Sequence, residues 1–154
     1  VETGEQLDME MMGLALEEAR GAASLGEVPV GAVIVDAGRR VLASAGNNVI
    51  GESDPAGHAE IRALRMAGKA RNNYRLPGST IYVTLEPCPM CASALVHARV
   101  ARVVFGAADP KTGALLSRYT IGTDNLLNHV FSITPGVRSG ECALLLRDFF
   151  QKRR

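Results

Sequence analysis

Thr80-Ile81-Tyr82-Val83-Thr84-Leu85-Glu86-Pro87-Cys88-Pro89-Met90-Cys91 is the stretch on which the fold of this chain turns. Its first five residues are β-branched or aromatic, the composition of a strand. Pro87 and Pro89 cannot continue a ladder, but they suit the first turn of a helix, so the strand turns there into a helix running to about Arg99. Cys88 and Cys91 stand three apart at that helix start, which puts both sulfurs on one side. The positive helix end favours their thiolate forms.

Working outward, residues 47–57 are rich in Gly, Asn, Ser, Asp and Pro and read as loop. His58 then opens a second helix, with Ile61, Leu64 and Gly68 along one side. Its opening triplet, His58-Ala59-Glu60, and the Cys88/Cys91 pair therefore both sit at helix starts. His58, Cys88 and Cys91 make three zinc ligands, and Glu60 is a carboxylate left over. Structural zinc is normally closed by four protein ligands, whereas a catalytic zinc keeps its fourth position for water. One imidazole and two thiolates leave the ion Lewis-acidic enough to bring water from pKa 15.7 to about 7, roughly 12 kcal/mol of deprotonation free energy. Glu60 is close enough to serve that water as proton shuttle.

Other readings of these residues are weaker. A C-x-x-C alone serves equally as a redox pair or as half of a structural zinc site; His58 and Glu60 are what decide against both. His97 follows Cys91 by six residues and points elsewhere on the helix, and His129 has no partner motif, so both read as structural or surface residues. Cys142, on the apolar side of the last helix beside Leu144 and Leu145, reads as core. Asp148 and the carboxylates of the first helix read as solvated faces.

The rest of the chain supplies an α/β alternation. Met12, Ala15, Leu16, Ala19, Ala22 and Ala23 form the stripe of an opening helix that Gly26 ends. Residues 28–35 and 40–44 form a hairpin turning at Asp36-Ala37-Gly38, residues 100–105 and 130–133 form two more strands, and 141–150 a closing helix. The pattern predicts one three-layer α/β/α domain over residues 1–154, its sheet mixed because an antiparallel hairpin precedes strands joined through helices. The 154 residues, 47% of them hydrophobic, are enough for a full core without disulfides. With 17 basic against 16 acidic residues there is no global field of a nucleic-acid binder, so such a partner needs a local patch. Three cysteines fit a reducing, cytoplasmic setting. No apolar run approaches the ~20 residues of a membrane span, and no signal peptide is visible.

His-x-Glu with Pro-Cys-x-x-Cys is the signature of zinc-dependent nucleobase deaminases. Over nearly its whole length the chain further resembles the bacterial tRNA-specific adenosine deaminases. The resemblance is carried by Glu27-Val28-Pro29-Val30-Gly31-Ala32-Val33, Asp54-Pro55-Ala56-Gly57-His58-Ala59-Glu60-Ile61, Asn73-Tyr74-Arg75-Leu76 and Tyr82-Val83-Thr84-Leu85-Glu86-Pro87-Cys88. Further blocks are Arg102-Val103-Val104-Phe105-Gly106-Ala107, Asp109 with Lys111-Thr112-Gly113-Ala114, and Asn128-His129. It implies conversion of adenosine to inosine at the wobble position of a tRNA anticodon, by zinc-activated water with Glu60 as shuttle. It implies a homodimer and a cytidine deaminase-like fold with a central five-stranded sheet, the base flipped into a pocket above the zinc. By the same resemblance Asn47 bonds the nucleoside, the backbone at Ala59 meets the base edge, and Pro87 walls the pocket. The Asp109 loop and the helix end at Phe149 and Phe150 cradle the anticodon loop, whose bases splay out without melting a duplex. Lys152, Arg153 and Arg154 suit phosphate contacts. The chain departs from the family over 115–126, where Leu115-Leu116-Ser117 replaces the Gly-Ser pair of many relatives. A deaminase of free bases or nucleosides would share the zinc residues without needing the blocks at Asn73 and Asp109. A zinc- or RNA-binding module without catalysis would have no use for Glu60.

Overall fold

The computed structural model describes residues 4–153. The elements run α1 (Gly4–Ser24), β1 (Gly31–Val35), β2 (Val41–Gly46), α2 (Ala59–Arg71), β3 (Thr80–Leu85), α3 (Pro89–His97), β4 (Arg102–Ala107), β5 (Ser132–Thr134) and α4 (Ser139–Gln151). The strands lie in the order β2-β1-β3-β4-β5. β1 is antiparallel to β2 and β3, whereas β3, β4 and β5 run parallel, which is the mixed sheet expected.

Alternation along the strands builds two cores. Ala32, Ile34, Ile81, Val83, Val103 and Phe105 face Ala59, Ala63, Leu95 and Val96 of α2 and α3. Val33, Val35, Tyr82 and Val104 face Met12, Leu16 and Cys142 of α1 and α4. The layers are therefore α2/α3, sheet, α1/α4, and β3 delivers its chain end to the starts of α2 and α3 on the first face.

Several expectations shift. The first strand begins at Gly31 and not at Val28, because Pro29 has no N–H and the Val30 N–H turns back to the Val28 carbonyl at 2.8 Å. Gly31 itself lies under α1, where a side chain would collide with the backbone of Ala15 and Ala19. β2 reaches Gly46, past the expected Ser44, because Gly46 is the register partner of Gly31. α3 stops at His97, and Arg99 beyond it takes the left-handed conformation, φ 61°. The buried side of α2 is Ala59, Ala63 and Ala67, with Ile61, Leu64 and Gly68 only partly covered. Small residues let α2 approach the sheet closely.

Asp8 of α1 also corrects its reading as a solvated carboxylate. It is 6% exposed, accepts the Tyr82 hydroxyl at 2.8 Å, and pairs with Arg102 on β4 at 2.6 Å. It ties α1 to two strands. Cys142 is buried as expected, with Leu145 packing beside it, but Leu144 is half exposed. No described helix is long and apolar enough to cross a membrane.

Candidate active site

His58 and Cys88 occupy equivalent positions. Each is the N-cap of its helix with extended backbone, φ −67° and ψ 153° for His58, φ −74° and ψ 173° for Cys88. Neither side chain is used to cap its own helix, so both are free to turn toward each other. Cys91, in the first turn of α3, completes the set. His58 Nδ1 lies 3.6 Å from Cys88 Sγ and 3.5 Å from Cys91 Sγ, and the three donor atoms lie within 4.8 Å of one another. Tetrahedral zinc with bonds of about 2.3 Å to sulfur and about 2.05 Å to nitrogen requires N···S separations of about 3.6 Å. The donors fit one zinc ion in type and in spacing.

Electrostatics divide the groups around this set. The Cys91 thiol donates to Cys88, and with help from His58 this overcomes burial and brings Cys88 down to about 4. The hydrogen bond to Cys88, followed by burial, pushes Cys91 the other way. A cation held between the sulfurs would replace their shared proton. Glu60, 4% exposed, is pushed up to about 7, chiefly by burial; the Cys88 charge adds to this, against its own backbone N–H and His58. Its state responds to Cys88, His58 and Cys91, yet it is not one of the three donors.

Three further side chains fix the walls. Asn47 Oδ1 accepts the Ala59 N–H at 2.8 Å, satisfying an orphan donor at the start of α2. Glu27, 2% exposed, accepts the N–H groups of Val49, Ile50 and Gly51 and so holds the loop before His58. Glu86, also 2% exposed, accepts N–H groups from Asp109, Leu115, Leu116 and Ser117 and the Ser117 hydroxyl. Pro87 is buried, its carbonyl accepting the Ala114 N–H at 2.8 Å. Glu27 and Glu86 had no assigned role in the sequence reading. The signal was there, a lone acid inside an apolar block in each case, but its donors lie 22 to 31 residues away.

The comparisons with known proteins agree with this geometry. The model of the cytidine and deoxycytidylate deaminase zinc-binding region matches residues 5–107. The tRNA-specific adenosine deaminase of Haemophilus influenzae is 52% identical over 149 residues, covering 97% of this chain and 86% of that protein. The chain belongs to the tRNA-specific adenosine deaminase family. The Bacillus subtilis member is 44% identical over 91% of this chain and 86% of its own. A solved structure from work on A-to-I editing by tRNA:A34 deaminases at the wobble position of transfer RNA superposes with a TM-score of 0.86. It is 44% identical and covers 89% of this chain and 99% of that one.

The residues that tRNA-specific adenosine deaminase membership suggested for substrate contact are brought together only in part. Asn47, Ala59 and Pro87 surround the three donors, although the Ala59 N–H is committed to Asn47. The Asp109 carboxylate braces its own loop, accepting from the N–H groups of Lys111 and Thr112 and from the Thr112 hydroxyl. Phe149 is 9% exposed with the Arg153 guanidinium 4.2 Å above its ring, while Phe150 is 52% exposed and meets Phe149 edge to face. Arg154 lies outside the described residues. His97 is exposed and His129 bonds the Val100 carbonyl at 2.7 Å, so neither joins the metal set.

Proposed function

We propose that this protein hydrolyses the amine of adenosine to give inosine at the wobble position of a tRNA anticodon. The observation that carries the reading is Glu60, a buried carboxylate two residues from His58 that responds to His58, Cys88 and Cys91 but is outside the ligand set. Family membership supplies the substrate. Zinc held by His58, Cys88 and Cys91 supplies, when bound, the Lewis acidity that makes water nucleophilic near neutral pH. Water adds its oxygen to the amine-bearing carbon, the carbon–nitrogen bond breaks, and ammonia leaves. Glu60 carries the protons, taking one from the water and delivering to the ring nitrogen and then to the departing amine. Burial raises this carboxyl above its ordinary value, which favours the form that delivers a proton. Asn47 uses its oxygen to hold the start of α2, which leaves its amide NH₂ for the nucleoside. Pro87 and the Ala59 backbone wall the pocket.

The exposed ring of Phe150 offers a stacking surface, and Lys152 and Arg153 offer phosphate contacts beside it. A homodimer fits the open groove between α2 and α3, lined by Leu64, Gly68, Tyr74 and Ala94. A cytoplasmic setting fits three unpaired cysteines. The test is to incubate the purified protein with an anticodon stem-loop bearing a wobble adenosine, and separately with free nucleosides. Inosine on the stem-loop alone is expected; turnover of free nucleoside without gain on the stem-loop overturns the substrate.

A further inference from the structure

We propose that Glu86 is a positioning residue for the polynucleotide, its carboxylate gathering residues 109–117 into a fixed wall against the Pro87-Cys88 turn. The inference takes the wobble-adenosine reading for its substrate. Residues 108–131 contain no helix or strand, so nothing regular holds their shape. Glu86 gathers the first part of the segment, residues 109–117. Its Oε1 accepts the Asp109 N–H at 3.1 Å and the Ser117 hydroxyl, and its Oε2 accepts three successive N–H groups, from Leu115, Leu116 and Ser117, at 3.1, 2.9 and 3.0 Å. Both limbs of the loop thus close on one carboxylate. Gly113 presses against it so tightly that a Cβ there would overlap it.

The anchor is continuous with the metal turn. The Glu86 N–H donates to the Ala107 carbonyl at 2.9 Å, and the Ala114 N–H donates to the carbonyl of Pro87, the residue before the ligand Cys88. Movement of the loop therefore reaches the pocket wall. Four of the five donors are main-chain groups, so the anchor is indifferent to most side chains of the loop. The Leu116 side chain, 53% exposed, takes no part in it. Side chains on the outer surface, Lys111 and Tyr119 among them, are free to meet substrate while the inner surface stays fixed.

Glutamine at position 86 separates the limbs. Its one oxygen still serves the three N–H groups of Leu115, Leu116 and Ser117, but its NH₂ faces the Asp109 N–H, donor against donor. In the zinc-loaded full chain, Glu86→Gln should speed amide hydrogen exchange at Asp109 and its neighbours while Leu115 to Ser117 keep most of their protection. Zinc content should be unchanged. Loss of a charge-assisted bond should raise KM for the anticodon stem-loop about tenfold with kcat within about threefold. Ser117→Ala removes only the hydroxyl donor and should shift KM the same way by about two- to threefold; it carries the test should Glu86→Gln not fold. Exchange that rises evenly across the sheet, or an unchanged KM in both variants, overturns the proposal. The exchange measurement needs no substrate, so failure of the parent to make inosine sinks the wobble reading without touching the anchor.

Discussion

Glu60 and Glu86 are almost equally hidden, 4% and 2% exposed, yet their carboxyls are driven in opposite directions. At Glu60 burial prevails and the carboxyl rises to about 7. At Glu86 burial also pushes upward, but the Ser117 hydroxyl and the N–H groups of Leu116, Ser117 and Asp109 outweigh it and hold the group below its ordinary value. Burial sets the cost of a charge, and the number of donors aimed at it decides whether that cost is met. The chain therefore holds one buried carboxyl raised above its ordinary value and one held below it by its donors.

Removing a metal ligand should have the largest effect. Cys88→Ala should lose zinc by metal analysis, lose activity, and lower the melting temperature, because the three donors join α2 to α3. Full zinc occupancy and activity in that variant would remove His58, Cys88 and Cys91 as the site.

Glu60→Gln should keep zinc and fold but lose about 10²–10⁴ or more of turnover, since only proton transfer is deleted. Set beside Glu86→Gln, which should act on KM, it separates chemistry from architecture. Activity within about tenfold of the parent would erase the distinction.

Two adjacent rings repeat the contrast in apolar form. Phe149→Ala empties a buried site and should cost about 3 kcal/mol of stability. Phe150→Ala removes a half-exposed ring and should instead weaken stem-loop binding by about 1–3 kcal/mol, with little change in melting temperature. Thermal melts and binding titrations on both variants check the pair, and an exchange of their effects would reverse the assignment.

Glu27 gives the mildest test. Burial pushes it up, but the N–H groups of Gly51, Ile50 and Val49 hold it below its ordinary 4.5. A carboxylate lowered on folding stabilises above its unfolded pKa and loses that contribution as pH falls through the folded value. The melting temperatures of the parent and Glu27→Gln should differ most near neutrality and converge as pH falls below 4.5. A gap that widens in acid would place Glu27 with Glu60 and not with Glu86.

What the sequence by itself determined was what nearest neighbours determine. Strand composition followed by two prolines fixed the β3-to-α3 turn, a polar loop before an apolar helix put His58 at a second helix start, and ligand types with a spare glutamate named the chemistry. Element ends were less legible, because β1 starts where α1 crosses Gly31 and β2 ends where that glycine finds its partner. Beyond the spare Glu60, the state of the buried carboxylates was not legible. Asp8, Glu27, Glu60 and Glu86 share the same chemistry in the sequence, and three of the four are distinguished by donors 22 to 94 residues away. Whether a buried acid is an ion pair, a loop anchor or a proton carrier depends on which donors the fold brings to it, and only the tertiary structure decides that.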